Sequence, residues 1–303
     1  MNIKKIKSRS ESLDKILKIV ESKKNITLIN ILKLSKQIAF YNERANQSSQ
    51  LVQDLAKEYA IDNSLIHGTN IISTNKFLNL FKQSKHKADK TIWVYVTETE
   101  EYDTNSYSKH EKNILANANK TDLFIAIGSS AINFCKQNEF EIIFEKDQND
   151  IEVLSKLLPN FIEKYLSIHG YFNVKFVINS SKIKDAYINV IPMNNLNLNL
   201  NLKKDKEETK INLKDFKIYP DVESFIEPEI SSYLTYITLT LLSESGLIYQ
   251  KYKLVSENQK IHDLEKKQRR LTLEVIRAKR ELEVEQISIL SKKKVLLHSQ
   301  KEK

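Results

Sequence analysis

The sequence predicts an α/β protein in which long N- and C-terminal helices form an antiparallel coiled coil, with an α/β domain inserted between them. Three observations predict this plan: a seven-residue apolar repeat near the C-terminus, a helical apolar pattern near the N-terminus, and alternating strand-like and helix-like segments between the two. The predicted domains are residues 1–66, 67–217 and 218–303. Four glycines and four prolines in 303 residues leave few natural helix breaks.

The first predicted element is a long N-terminal helix. No proline or glycine precedes Gly68, and apolar residues recur mostly three, four or seven positions apart. This helix is the partner that the C-terminal repeat needs within the same chain. An ordinary amphipathic helix on a helical bundle is the alternative. The apolar positions are Leu13, Leu17, Val20, Leu28, Ile31, Ile38, Ala45, Val52, Leu55 and Tyr59.

The middle of the chain alternates between strand-like and helix-like segments. Runs rich in β-branched and aromatic residues predict strands at Thr91–Thr97, Asp122–Gly128 and Val174–Asn179. Such alternation predicts a Rossmann-like α/β domain with a largely buried sheet. Helical spacing occurs at Ile114–Ala118, Ala131–Cys135 and Ile151–Ile168.

The segments that follow predict the end of this domain. Asp185–Val190 predicts a further strand that closes at Pro192, and the alternating Asn194–Leu202 predicts a ribbon or an edge strand. The charged residues 203–210 predict a solvent-exposed loop or hairpin tip.

The C-terminal element is a heptad repeat that implies a supercoiled partner. Beyond Pro228 the chain has no proline and one glycine, Gly246, so one continuous helix is predicted. A seven-residue repeat keeps its apolar seam on one side only if the helix winds around another helix. The repeat is Leu247, Leu254, Ile261, Gln268, Val275, Leu282 and Ile289, with Leu264, Leu271 and Ala278 three residues after successive members.

The positive charge is concentrated on this last helix. The chain has a net charge of +9, and residues 247–303 hold 15 Lys and Arg against eight Asp and Glu. Taken singly, a lysine on this helix is interpreted as part of its solvent-exposed face. The cluster Lys266, Lys267, Arg269 and Arg270 predicts contact with an acidic partner surface. Nucleic acid fits the charge, but this helix has only Tyr249 and Tyr252 to stack on bases.

Catalytic and metal motifs are missing from the sequence. It contains neither GxxxxGK[ST] nor GxGxxG, and its six histidines have no metal-like spacing. Gly128-Ser129-Ser130 predicts an ordinary strand-to-helix turn with a serine cap, the alternative being an anion-binding helix start. Cys135 is predicted to be core, and the acids of Glu98–Asp103 a loop. We therefore predict no cofactor, no metal and no active site.

Localisation is predicted from what the sequence lacks. The single cysteine excludes an internal disulfide and fits a reducing compartment. No N-terminal targeting segment and no run of about 18 apolar residues occurs. The sequence thus predicts a soluble, cytoplasmic protein.

Several segments together resemble the gamma subunit, the central-stalk rotor of F-type rotary ATP synthases and ATPases. Tyr219-Pro-Asp-Val-Glu223 resembles that family's acidic-proline turn, and Ser243-Glu244 with Ser256–Lys260 resembles motifs of its last helix. The further similar segments are Lys23–Ile29, which makes roughly the first 20 residues an extension, Asp122–Gly128, and Gly170–Asn179 with Pro192.

The chain also departs from the family pattern. Thr97–Asp103 replaces the family's glycine-rich Asp-Arg-Gly-Leu-Cys-Gly turn, and the terminal signature is blurred between Arg277 and Leu290. The resemblance therefore points to a divergent branch, like the F-type-like ATPases of wall-less bacteria, whose tasks extend beyond ATP synthesis.

The resemblance implies a non-catalytic rotor shaft that couples ATP hydrolysis or synthesis, and with it proton transport, to rotation inside a hexamer of alpha and beta subunits. An epsilon-like or other foot-docking subunit would be a further partner, the membrane rotor only an indirect one, and the location cytoplasmic or peripheral at the inner membrane face. Lys266, Lys267, Arg269 and Arg270 would meet acidic levers of the ring, and an apolar tip near Ile287, Ile289 and Leu290 would act as a bearing. The rotor seam would be Leu247, Leu254, Ile261, Leu264, Leu271, Val275, Leu282 and Ile289.

Other functions remain open at this stage. A cytoskeletal or scaffold coiled-coil protein would dimerise through the same seam. A basic coiled-coil nucleic-acid binder would bind in a salt-dependent manner. A dedicated F-type-like motor subunit would serve motility or another task that is not synthesis.

Overall fold

The computed structural model describes residues 3–61, 64–67, 90–98, 106–170, 172–180, 186–193 and 217–299. The predicted ribbon Asn194–Leu202 and the charged loop 203–210 lie outside these residues. The chain divides into two compact units. We call Met1–Ile29 with Tyr252–Lys303 the coil unit, and Asn30–Lys251 the body unit.

Two long helices begin and end the described chain. The first, α1, spans Ile3–Glu58, and the last, α6, spans Val222–Ser299 without interruption at Pro228 or Gly246. Both were predicted from the absence of helix breakers and the apolar spacing. The other elements are α2 (Ser64–His67), β1 (Thr91–Val96), α3 (Ser106–Asn117), β2 (Leu123–Ile127), α4 (Ser129–Gln137), β3 (Glu141–Lys146), α5 (Ile151–His169), β4 (Asn173–Val177) and β5 (Ile188–Ile191).

A five-stranded mixed sheet forms the centre of the body unit, with the strand order β3-β2-β1-β4-β5. The first four strands in the chain are parallel, and β5 pairs antiparallel with β4. The predicted inserted α/β domain is therefore confirmed. Strand β3 was not predicted, and β5 begins at Ile188, three residues later than expected.

The sheet is covered on both faces, which explains why β2 is apolar throughout and β1 is apolar after Thr91. On one face, α1, α5 and α6 contribute Val52, Leu158 and Ile237 to the larger apolar core. On the other, Trp93, Tyr95 and Phe124 form a second core with Ile114 of α3 and Phe134 of α4. A parallel strand that is buried on both faces has no solvent-exposed side, so its sequence does not alternate between apolar and polar residues.

Within the body unit, α1 and α6 pack antiparallel. The rings of Tyr41 and Tyr236 stack with their centroids 6.2 Å apart. Ile38 and Leu247 form a buried apolar cluster, flanked by Leu34. From the first of these contacts to the second, the residue number on α6 rises from 236 to 247, whereas the residue number on α1 falls from 41 to 38. The two helices therefore run in opposite directions.

In the coil unit, the residues of α1 and α6 that are shielded from solvent recur at the spacing of a coiled coil. Asp14 on α1 accepts a long hydrogen bond of 3.5 Å from Gln268 Nε2 on α6. Intervals of three and four residues alternate on both helices, as knobs-into-holes packing requires. The buried or half-buried positions at this spacing are Ile6, Ser10, Leu13, Leu17, Val20, Lys24 and Thr27 on α1, and Leu254, Glu257, Ile261, Leu264, Gln268, Leu271, Val275 and Ala278 on α6. Asp14, Lys253, Ser256 and Glu265 beside them are also half-buried.

The turn from β2 to α4 differs from the prediction of a serine cap. Gly128 is the N-cap residue, with a φ of 93° and no side-chain cap. The start of the helix is instead held by β1, because Thr97 Oγ1 accepts a hydrogen bond from Ala131 N at 3.1 Å. Glycine is needed here, since a Cβ at this position would collide with the carbonyl oxygen and Oγ1 of Thr97.

Candidate functional site

The sheet of the body unit has the strand order that creates a ligand-binding position in other open α/β sheets. In this chain, the chain's own helix α6 occupies that position. The strand order reverses between β1 and β4, and ligands of such sheets bind beyond the carboxyl ends of the strands at this point. Glu98 follows β1 and Ser180 follows β4. Both residues hydrogen-bond to α6, so the helix fills the position that a ligand would take.

Two carboxylates make these bonds, that of the half-buried Glu98 and that of the buried Glu244 on α6 itself. Glu98 Oε1 accepts hydrogen bonds from Ser245 Oγ at 2.9 Å and from Asn149 Nδ2 at 2.6 Å. Glu244 Oε1 accepts one from Ser180 Oγ at 2.9 Å, and the side chain is completely buried. Burial raises the pKa of Glu98, although the two hydrogen bonds oppose the shift. Sequence reading had placed Glu98 in a loop and missed this role.

Among the described residues, no group of three His, Cys, Asp or Glu side chains is placed to hold a metal ion. Cys135 lies in the core, as predicted, and burial raises the pKa of its thiol to about 12. A thiol at that pKa stays protonated near neutral pH and is a poor nucleophile.

The predicted basic cluster is exposed on α6 in the coil unit. Lys266, Lys267, Arg269 and Arg270 all have exposed side chains. Two of them, Lys267 and Arg270, line a groove of about 480 Å³ together with Arg9 of α1. Sequence reading missed Arg9 because only the paired helices bring it beside a cluster more than 250 residues away.

The groove also has an apolar lining. Leu13 and Ile16 of α1 and Leu271 of α6 lie along it. Cationic groups beside apolar side chains suit a partner segment that is acidic and apolar together.

The predicted seam residues fall into two groups. Leu247 is buried in the body unit, and Leu254, Ile261, Leu264, Leu271 and Val275 are half-buried in the coil unit. Leu282 and Ile289 are 45% and 49% exposed.

The start of α1 explains this division. Asp14 contacts Gln268, and Ile3, where α1 begins, lies 11 residues before Asp14. The same number of residues along α6 leads to Lys279. Leu282 and Ile289 therefore lie beyond the described part of α1.

The coil unit exposes apolar residues on its outer surface as well. A free two-stranded coiled coil normally places polar side chains there. Here isoleucines, leucine and valine stand outside the seam on both helices, with exposures up to 66%. They include Ile16, Ile19, Ile26, Leu28, Ile29, Val255, Leu273 and Ile276.

Two known proteins resemble this chain along most of its length. It is 31% identical over 296 residues to the uncharacterized protein UU050 of Ureaplasma parvum, covering 96% of this chain and 94% of that one. It is 22% identical over 257 residues to the ATP synthase gamma chain of Mycoplasma capricolum, covering 82% of each. No profile of a known protein family matches.

The fold and these relatives define a gamma-like central-stalk protein, distant from the ATP synthase gamma chain of Mycoplasma capricolum. The chain belongs to the same family as UU050 of Ureaplasma parvum, a wall-less bacterium. The resemblance predicted from the sequence motifs is thereby confirmed. No described helix is long and apolar enough to cross a membrane.

Solved structures also align with the chain over most of its length. A chain of the Euglena gracilis mitochondrial ATP synthase aligns with 99% of this chain and 95% of its own, at 13% identity and a TM-score of 0.43. A central-stalk chain of the Tetrahymena thermophila enzyme covers 77% and 98%, at 15% identity and a TM-score of 0.39. Scores of this size support neither a shared mechanism nor shared partners.

Proposed function

We propose that this chain is the non-catalytic rotor shaft of an F-type-like rotary ATPase. Its coil unit would turn inside a ring of alpha and beta subunits and couple ATP hydrolysis or synthesis to rotation. The observation that carries the proposal is the exposed apolar surface of the coil unit, on a chain related to an ATP synthase gamma chain.

The exposed apolar residues favour an enclosed coiled coil. Ile26, Ile29 and Val255 are each more than half exposed, although a seam elsewhere on the same helices is already filled. Apolar surface left in water costs about 25 cal/mol per Å², so a partner that covers it gains stability. A ring that surrounds the coil covers both helices at once, whereas a docked helix covers one side.

The same features disfavour a scaffold that dimerises through the terminal seam. Between residues 254 and 278 of α6, the seam positions are half-buried or buried against α1 of the same chain. A second copy would have to displace α1 to use this seam. The apolar outer surface also gives a nucleic-acid binder no advantage, because phosphate contacts require charge.

The basic cluster supplies contacts of the strength that a rotor needs. Lys267, Arg270 and Arg9 are arranged along one groove, and exposed ion pairs are each worth about 0–1 kcal/mol. Several weak contacts hold a shaft in register without creating a deep minimum that stops rotation. The predicted acidic levers of the ring are the complementary surface.

Native purification of the tagged full-length chain tests the proposal. We expect it to co-purify in stoichiometric amounts with subunits that carry GxxxxGK[ST] motifs, and electron microscopy of the complex to place α1 and α6 inside the ring. Recovery as a homodimer, or in a complex without ATPase subunits, would contradict the proposal.

Charge reversal tests the basic groove within that complex. We expect Lys267→Glu combined with Arg270→Glu to leave assembly intact and to lower ATP-driven torque at least about two-fold, in keeping with the loss of two weak ion pairs. Lys112→Glu with Lys120→Glu, two exposed lysines of the body unit, is the charge-matched control. Equal torque in both variants would remove the groove from the mechanism.

A further inference from the structure

The polar bonds that tie α6 to the body unit suggest a mechanical role. We propose that they form a lock that prevents α6 from rolling about its own axis, so that the body unit turns with the helix. The torque that the lock would carry rests on the proposed rotor function, whereas the lock itself is a property of the isolated chain. Its members on α6 are Ser231, Tyr233, Glu244 and Ser245.

Each of these residues bonds to a different element of the body. Ser231 Oγ donates to Glu163 Oε2 of α5 at 3.0 Å, and Tyr233 Oη donates to the carbonyl oxygen of Val190 in β5 at 3.0 Å. Glu244 and Ser245 bond at the carboxyl ends of β4 and β1, as described above.

The bonds leave α6 in different directions. Successive residues of an α-helix are about 100° apart around its axis, so Ser231 and Tyr233 differ by about 200°. Ser245, 12 residues after Tyr233, is turned by about 120° from it. Ser245 thus lies within about 40° of Ser231, and Glu244 within about 20° of Tyr233, so the bonds hold two sides of the helix about 100–160° apart. A helix held on two such sides cannot roll without breaking at least one bond. Apolar side chains alone resist such rolling less, because their attraction has no fixed direction.

Burial makes the two carboxylate bonds costly to break. Glu244 is completely buried and its Oε2 has no hydrogen-bond partner among the described residues, so Ser180 Oγ is the donor on which it relies. Glu98 is half-buried and accepts its bonds from Ser245 and Asn149. A buried carboxylate that loses its donor keeps the full desolvation cost, which is larger than the net gain from an exposed hydrogen bond.

Hydrogen exchange of the isolated full-length chain tests the lock. We expect Ser180→Ala combined with Ser245→Ala to speed amide exchange in residues 240–250 at least about ten-fold, a lower bound for the loss of two charge-assisted hydrogen bonds. Ser232→Ala with Thr235→Ala is the matched control, because both hydroxyls bond only to carbonyl oxygens of α6 itself. Equal exchange in the two variants would overturn the lock.

Substitutions of Glu98 separate the bond from a general loss of packing. Glu98→Gln keeps the oxygen that accepts both hydrogen bonds, whereas Glu98→Ala removes it. The lock predicts exchange near the wild-type rate for the glutamine variant and faster exchange for the alanine variant. Equally fast exchange in both would contradict it.

Rotation measured on the purified complex tests the torque role separately. With a probe attached to the body unit, the Ser180→Ala and Ser245→Ala variant should hydrolyse ATP normally but turn the probe with at least about two-fold more slips, because the two lost bonds weaken the hold of the body on α6. Faster exchange with unchanged rotation would overturn the torque role. Failure of the wild-type chain to join an ATPase ring would overturn the proposed function, and the exchange result would still decide the lock.

Discussion

The body unit and the coil unit are stabilised in different ways. The body unit has fully buried strands, with Trp93, Phe124 and Phe176 inaccessible to solvent, and helices on both faces of its sheet. Among the residues of the coil unit whose burial the structure describes, the buried apolar ones are Ile6 and Ala278 alone, and buried polar groups such as Thr27 and Glu257 interrupt the seam. The body therefore has a core of its own, whereas the coil presents much of its apolar surface to whatever surrounds it.

This difference shows where the chain depends on a partner. Local stability follows buried apolar contacts, so the body should open rarely and the coil often when the chain is alone. An enclosing ring would make the coil unit open less often and would leave the opening of the body unit unchanged. The following predictions test the contrast, beginning with the largest expected effect.

Phe176→Ala should destabilise the body unit by about 3–5 kcal/mol, because it removes a fully buried aromatic ring and leaves a cavity. Urea unfolding followed by fluorescence of Trp93, the single tryptophan, measures the change. Phe40→Ala, at a ring that is 53% exposed, is the control and should cost less than about 1 kcal/mol. Similar losses at both sites would mean that the body has no dominant core.

Asp122→Ala should cost about 3 kcal/mol, because it removes the acceptor of three donors. The carboxylate bonds Trp93 Nε1 at 2.9 Å, Thr91 N at 3.2 Å and Asn119 N at 3.0 Å. Two of these bonds are buried, and buried donors left without partners are penalised. Asp150→Ala, which removes the exposed cap of α5, should cost only about 1 kcal/mol in the same unfolding assay.

Glu257→Leu should stabilise the coil unit by about 1–2 kcal/mol. The side chain is 5% exposed in the seam, and Oε2 has no hydrogen-bond partner among the described residues. Replacing a poorly satisfied buried carboxylate by an apolar side chain removes its desolvation cost. Slower amide exchange in residues 252–264 would show the gain, and Glu274→Leu on the exposed surface should leave it unchanged.

Glu98→Gln should make stability less dependent on pH, the smallest of these effects. Burial raises the pKa of Glu98 above its ordinary value of 4.5, so the folded state holds this proton more tightly than the unfolded state. Its contribution is therefore complete below pH 4.5 and declines as the pH rises through the higher folded pKa. Thermal melts from pH 4 to 8 should show a shallower decline for the variant; parallel curves would contradict the assignment.

Patterns within short segments predicted most of the fold. The heptad on α6, the apolar spacing on α1 and the strands β1, β2 and β4 are local signals, and each was found within a few residues of its expected bounds. Strand β3 was missed because charged residues begin and end it and it lies at the sheet edge, where burial is incomplete.

Features that depend on contacts between distant residues could not be predicted. Ser245 and Glu98 are 147 positions apart, and no sequence signal distinguishes them from other polar residues. Arg9 joins Lys267 and Arg270 only through helix pairing. The cap of α4 was assigned to a serine because the sequence cannot show that Thr97 of another element supplies the acceptor.

The continuity of α6 restricts how its sequence can change in length. One extra residue between Leu254 and Ile261, within the coil unit, would turn the part of the seam beyond it by about 100° and move it away from α1. Seven extra residues would restore the seam to within about 20°. Homologues should therefore tolerate insertions and deletions in this stretch only when their length is close to a multiple of seven residues. Substitutions do not change the phase of the helix and are not restricted in this way.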